Sequence, residues 1–201
     1  MGRLAFDGVV LTGGASRRMG RDKALVEVGG RALAVGVARV LRDAGADKVF
    51  AVGGAIDALA DLGLHAVPDE FPGEGPLGGL LTALSHASSP LVAVLACDLP
   101  AAAPSAVRLV VAALDADPDL ACAIPMVQGH SQPLHGAWRR SSRPEIQAMF
   151  DRGERAMHRA IAGLAGIAVH GVDPAAVADV DTPADMRGRR ALTPTPPGAA
   201  L

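Results

Sequence analysis

The chain predicts an α/β fold, with a mainly parallel sheet covered on both faces by helices. Three observations predict it. Strand-like and helix-like segments alternate along most of the 201 residues, the pattern of a parallel sheet joined by helical crossovers. Half the residues are hydrophobic, yet the aromatics are four Phe, one Trp and no Tyr, so small aliphatics must fill the core, as they do in parallel sheets buried on both faces. A glycine-rich, cationic segment also follows the first strand directly, where such folds place a ligand.

The elements follow in order. Residues 7–11 form a short apolar strand that opens into the cationic loop. Residues 32–44 read as a helix stopped by Gly45, and 48–52 and 64–67 as the next two strands. A Pro/Gly loop introduces a helix over 77–87. Residues 91–96 are the most uniformly apolar run and predict a strand buried on both faces. Then come a helix at 106–114, a strand at 120–125, helices at 144–151 and 155–164, and a strand at 167–172. Thr182 and Pro183 cap a short helix over 182–190. Residues 126–140 break the alternation and read as a loop-and-strand insertion on the binding face. No internal repeat is visible. The proline-rich stretch 191–201 reads as a disordered tail, which leaves one domain over 1–190.

Composition excludes several function classes. Net charge is −2 and no block of like charges occurs, which argues against nucleic acid or a membrane surface as the partner. No window reaches the roughly 18 apolar residues of a membrane span, and no signal peptide is expected, so the expected location is the cytoplasm. Cys97 and Cys122 lack the spacing of a metal pair and lie in apolar runs, as buried reduced thiols do. No nucleophile elbow surrounds Ser16, and the six histidines show no ligand spacing on one helix face, so covalent catalysis is not indicated.

The loop after the first strand holds Gly13, Gly14, Arg17, Arg18 and Lys23. Glycines let backbone N–H groups approach phosphate oxygens, and three cations supply the charge a triphosphate needs. A plain turn with surface arginines is the other reading. Neither a Walker loop nor a dinucleotide fingerprint is present: Gly20 is followed by Arg21, Lys23 by Ala24, and prolines interrupt Gly73-Glu74-Gly75-Pro76-Leu77-Gly78.

Three acidic elements accompany the loop. Asp98, in Cys97-Asp98-Leu99-Pro100, follows the buried strand and is expected to point at the site; it reads either as a ligand for Mg²⁺ or as an N-cap before the next helix. Asp179 and Asp181 alternate in an extended segment, which puts both carboxylates on one side. Asp69 begins a glycine-rich loop, placed to accept from a base or ribose.

Together these residues resemble the molybdenum cofactor guanylyltransferase family. The family's opening motif is Leu-Ala-Gly-Gly-x-Ser-x-Arg-Met-Gly-x-Asp-Lys-Ala-Leu, and residues 11–25 depart from it only at Thr12. The Asp69 loop, Gly75-Pro76-Leu77-Gly78-Gly79-Leu80, Cys97-Asp98-Leu99-Pro100 and Asp181-Thr182-Pro183-Ala184-Asp185 are similar too, in the family's order over about residues 5–190. The resemblance implies a three-layer, Rossmann-like nucleotidyltransferase fold with a nucleotide site in the N-terminal half and an acceptor site in the C-terminal half. It implies transfer of GMP from GTP to molybdopterin or the molybdenum cofactor with release of pyrophosphate, Mg²⁺ as cofactor, and transient contact with other proteins of cofactor biosynthesis. By position, Leu11, Thr12, Gly13 and Gly14 would contact the nucleotide, Lys23 and Arg18 the triphosphate, Asp69 the nucleoside, and Asp98 and Asp181 the metal. His130, Gln132, His135 and Arg155 lie in the half where a pterin would be held. Gly53-Gly54 replaces an Asn common in the family's second turn. Asp179-Val180-Asp181 replaces Asn-x-Asn, a form also found in cytidylyl-transferring relatives. The alternatives are therefore a cytidylyltransferase, a nucleotide-binding module without catalysis, or a hydrolase.

Overall fold

The computed structural model describes residues 4–13 and 22–179. Parallel strands β1 (Phe6–Leu11), β4 (Val49–Val52), β5 (Ala66–Val67) and β6 (Leu91–Ala96) form one half of the main sheet, and β7 (Cys122–Val127), β9 (His135–Arg139) and β10 (Gly166–Val169) the other. The order across the sheet is β5-β4-β1-β6-β9-β7-β10. β9 is antiparallel to both β6 and β7, and β10 is parallel to β7, so the sheet is mainly parallel with one reversed strand near its middle. Two small hairpins complete the strands: β2 (Glu27–Val28) with β3 (Arg31–Ala32), and β8 (His130–Ser131) folded onto β7.

Alternate strand residues divide between two cores. Val10, Ala51, Leu91, Ala93, Leu95 and Ala137 face one side, with α1 (Leu33–Ala44), α2 (Ile56–Asp61) and α4 (Pro104–Asp115). Val9, Leu11, Phe50, Val92, Val94 and Trp138 face the other, with α3 (Pro76–His86), α5 (Arg143–Asp151) and α6 (Met157–Ala162). This is the three-layer architecture expected from the period-two alternation of apolar strand residues.

Two features differ from the sequence expectation. Residues 135–139 are not part of an insertion on the binding face: they are a central strand, paired on both edges, and Ala137 and Trp138 are fully buried. Asp98 does not cap the following helix, whose N-cap is Ala103. The helix expected over 182–190 and the tail at 191–201 lie outside the described residues.

One buried acid was not foreseen. Asp7, 1% exposed on β1, accepts from Ser88 N at 2.6 Å, Ser89 N at 3.1 Å and Ser89 Oγ at 2.8 Å, fixing the turn that leads into β6. A buried carboxylate is tolerated when donors surround it in this way.

Candidate active site

From β1 the chain moves to β4 and β5 on one side, then crosses back to add β6 on the other. The carboxyl ends of β1 and β6 therefore flank a topological switch point, the crevice where open α/β sheets bind ligands. Leu11 pairs with Ala96, and Cys97 N–H donates to Leu11 O at 3.1 Å, so Thr12-Gly13 and Asp98 emerge side by side.

The β1 exit is held from below. Thr12 N–H and Gly13 N–H both donate to Val52 O, and the buried Thr12 hydroxyl contacts Val52 O at 2.9 Å and Gly53 O at 2.8 Å. These bonds lock the loop's first residues to the end of β4. The Gly53-Gly54 turn is glycine for steric reasons. A Cβ on Gly53 (φ +76°) would approach Gly13 Cα at 3.2 Å, and one on Gly54 (φ +72°) would approach Thr12 Oγ1 at 2.9 Å. Asp22 closes the other end of the loop: Oδ1 accepts from Ala24 N and Oδ2 from Ala55 N, both at 3.0 Å. Its role as a brace between the loop and the β4–α2 turn was not assigned from the sequence, although an Asp directly before a helical turn is a capping signal.

Lys23 opens a helical turn over Lys23–Leu25, and its Nζ donates to Asp98 Oδ2 at 2.7 Å, the two side chains being 14% and 20% exposed. A cation from the first loop and an anion from the end of β6, 75 residues apart, thus meet over the switch point. Cys97 lies beneath them. Burial, and then the nearby Asp98 carboxylate, push its thiol up to about 12, so it remains an inert thiol. Cys122 is likewise buried and pushed up to about 12 by desolvation.

Asp69 reaches the same floor from the β5 exit. Oδ1 accepts from Phe71 N at 3.0 Å and from the Thr82 hydroxyl at 2.9 Å, while Oδ2 lies 3.7 Å from where a Gly13 Cβ would be. Thr82, fully buried on α3, also accepts from Glu70 N and orients this carboxylate. A Thr inside an apolar helix carries no separate signal in the sequence.

The expected site residues thus divide clearly. Leu11, Thr12, Gly13, Lys23, Asp69 and Asp98 converge at the carboxyl ends of β1, β5 and β6. Gly14, Arg17, Arg18 and Asp181 lie outside the described residues. His130, Gln132 and Asp179 line a separate cavity of about 280 Å³ between the β7–β8 turn and the helical turn at Pro174–Val177. That cavity lies at the carboxyl end of β7, the same end of the sheet as the carboxyl ends of β1 and β6. His135 is not in it: the ring is 1% exposed, both nitrogens lack hydrogen-bond partners, and burial lowers its pKa. The Arg155 side chain is engaged by Glu74 and by the carbonyls of Phe150 and Glu154.

Among the described residues no helix is long and apolar enough to cross a membrane. Residues 8–169 match the model of the MobA-like NTP transferase domain. A protein of Opitutus terrae that carries the name probable molybdenum cofactor guanylyltransferase is 38% identical over 168 residues, covering 80% of this chain and 79% of that one. One of the same name from Pelotomaculum thermopropionicum is 38% identical over 135 residues, covering 67% of this chain and 64% of the relative, just under two-thirds of its length. The molybdenum cofactor guanylyltransferase of Shewanella sp. strain ANA-3 is 31% identical, covering 90% and 92%. Among solved structures, molybdopterin-guanine dinucleotide biosynthesis protein A from Archaeoglobus fulgidus superposes with a TM-score of 0.75 at 20% identity, covering 92% of this chain and 97% of that one. The 2-C-methyl-D-erythritol 4-phosphate cytidylyltransferase of Thermus thermophilus superposes at 0.70 and 19%, covering 92% and 96%, so the fold is shared beyond one substrate. With most of its length matched by that model and by relatives above 30% identity, the chain belongs to the MobA-like NTP transferase family, a family of nucleotidyltransferases.

Proposed function

We propose that the protein transfers GMP from GTP to the terminal phosphate of molybdopterin or its molybdenum form, releasing pyrophosphate. The observation that carries this reading is the meeting of Lys23 and Asp98 at 2.7 Å over the switch point, beside the β1 exit. The relatives named as molybdenum cofactor guanylyltransferases support the choice of substrates.

The chemistry requires positioning and charge neutralisation rather than a protein nucleophile. Backbone groups of Leu11, Thr12 and Gly13, held on β4, form the floor for the nucleotide, and Gly14 is a further proposed nucleotide contact. Asp69 Oδ2 accepts from the nucleoside. Lys23 and Arg18 bind the triphosphate and stabilise the departing pyrophosphate. An oxygen of the acceptor phosphate forms the new bond to the α-phosphorus as the bond to the bridging oxygen breaks, and that electron pair leaves with pyrophosphate.

Mg²⁺ belongs to the same reading. Among the described residues no three His, Cys, Asp or Glu side chains form a cage. A part-exposed carboxylate such as Asp98 nevertheless fits an ion held by one or two carboxylates and by substrate phosphates. Asp98 and Asp181 would hold it, and it would neutralise charge on the phosphate oxygens. The cavity beside His130, Gln132 and Asp179 is the acceptor-side candidate. A cytoplasmic location and transient contact with other proteins of cofactor biosynthesis complete the proposal.

Thermal unfolding with Mg²⁺ and each of GTP, CTP, ATP and UTP tests it. A nucleotide at a hundred times its Kd stabilises the fold by about 2.7 kcal/mol. Stabilisation by GTP alone, followed by pyrophosphate release on adding molybdopterin, is the expected result. Stabilisation by CTP alone would assign cytidylyl transfer instead.

A further inference from the structure

The loop after Asp69 is tied to the far half of the molecule by a small cluster of contacting side chains. Arg155 Nε donates to Glu74 Oε2 at 2.5 Å. The guanidinium is not a loose surface group: Nη1 donates to Phe150 O at 2.7 Å and Glu154 O at 2.8 Å, and its carbon lies 3.7 Å from the centre of the Phe150 ring. The Phe150 ring in turn meets Phe71 at 4.8 Å between centroids. Glu154 supports the arrangement from behind. Its Oε1 accepts from Arg155 N and Ala156 N and its Oε2 from Arg159 Nε at 2.7 Å; these bonds, the Arg159 one foremost, hold its carboxyl at about 2.

Phe71 and Glu74 both lie in the segment between Asp69 and α3. That segment packs so tightly on the helix that a Cβ on Gly78 would lie 2.8 Å from Phe71 Cβ and 3.5 Å from Glu74 Cβ. Phe71 N–H also donates to Asp69 Oδ1. A chain of contacts therefore runs from Arg155, through Glu74 and Phe71, to the carboxylate beneath Gly13. Two fixed acceptors and a stacked ring set the guanidinium in advance, so the Glu74 contact costs little side-chain entropy.

We propose that Arg155, held in place by the Phe150 ring and two carbonyls, is a positioning residue for nucleotide binding: through Glu74 it latches the Asp69–Gly75 loop, and so sets the affinity for the nucleoside triphosphate. The proposal rests on the reading that this loop belongs to a nucleotide site. Arg155 acts without touching the nucleotide, so its effect must pass through Glu74.

The experiment compares wild type with Arg155→Met, Glu74→Gln, the double variant and Arg155→Lys. It uses titration calorimetry with GTP and Mg²⁺, steady-state KM for GTP and for the pterin acceptor, and hydrogen exchange of residues 70–75 without nucleotide. Each single variant and the double are expected to weaken GTP binding by the same factor, about threefold to fivefold, the scale of one part-exposed ion pair. KM for GTP should rise while kcat holds, amides 70–75 should exchange faster, and Arg155→Lys should recover only part of the affinity because an ammonium lacks the stacked fork. Additive losses, an effect of Arg155→Met without one from Glu74→Gln, or a change confined to KM for the acceptor would overturn the latch. Failure of wild type to bind GTP would refute the nucleotide reading instead, and the exchange of residues 70–75 would still decide the latch itself.

Discussion

Replacing Gly54 by alanine perturbs the floor of the site at a point where two costs can be worked out separately. At φ +72° an alanine occupies the left-handed region, which costs an L-residue about 1–2 kcal/mol. The new Cβ would also lie 2.9 Å from Thr12 Oγ1 and 3.1 Å from Thr12 Cβ. That hydroxyl cannot swing away freely, because it is bound between Val52 O and Gly53 O. Relieving the overlap by moving the turn adds roughly 1–2 kcal/mol, the usual scale of overpacking in a filled site. The total, about 2–4 kcal/mol, should lower Tm by roughly 4–16 °C in a chain of this length. Circular dichroism melts of Gly54→Ala, Thr12→Ala and the double variant provide the assay. The double should be more stable than the sum of the singles by about 1 kcal/mol, since deleting Oγ1 removes the closest contact. Gly54→Asn should fall between wild type and Gly54→Ala, because Asn tolerates the left-handed region yet keeps a Cβ. Strict additivity, or a Gly54→Ala melt that matches wild type, would refute the steric argument.

Four further outcomes are expected. Asp7→Ala removes an acceptor from three donors and should cost about 3 kcal/mol, read as a shift of the urea midpoint, whereas Asp7→Asn, which retains one carbonyl oxygen, should cost less. His135 has its pKa lowered by burial, so below pH 6.5 the unfolded chain holds a proton that the native state lacks. Its contribution to stability is complete above pH 6.5 and is lost as pH falls towards the native value, with a slope of at most about 1.4 kcal/mol per pH unit. Urea midpoints between pH 7.5 and 5.5 should show that slope in wild type and a flatter one in His135→Leu; Glu154, held at about 2, does not titrate in this window. Asp98→Ala should abolish most pyrophosphate release, by about a hundredfold or more, while the melt stays cooperative and close to wild type. Gln128→Asn should raise Tm by about 2 °C, because Gln128 sits at φ +50° in the two-residue turn between β7 and β8, a turn that favours Asn before Gly.

Much of this was legible in the sequence where one force dominates. The strand Leu91–Ala96 falls on the expected residues because a run of six apolar side chains has no other use here. The placement of Gly13 and Lys23 beside the end of the first strand was readable because the glycine-rich, cationic segment follows that strand directly in the chain. β9 was obscured by its own residues: His135 and Gly136 are unusual in a buried strand, and the space for Gly136 is limited most closely by Ile124, twelve residues earlier in the chain. α2 and the β2–β3 hairpin were missed because they are too short for periodicity to register. The roles of Asp22, Thr82 and Glu74 depend on partners 12 to 81 positions away, and no local pattern encodes such pairs.

The reversed strand also governs how the chain can fold as it is made. β6 has no partner on its outer edge until residues 135–139 are available, because β7, although completed earlier, joins the sheet only through β9. A nascent chain emerging at about 5–20 residues per second therefore leaves the Leu91–Ala96 edge open for several seconds while roughly forty further residues are synthesised. That edge is uncharged, apolar and free of proline, the composition most prone to pairing with a neighbouring chain. Arrival of the His135–Arg139 segment covers it and docks β7 in the same event, and β10 joins β7 once residues 166–169 follow. Ribosome pausing before residue 135, or truncation there, leaves this edge without β9, and such chains are expected to aggregate more than the full-length chain.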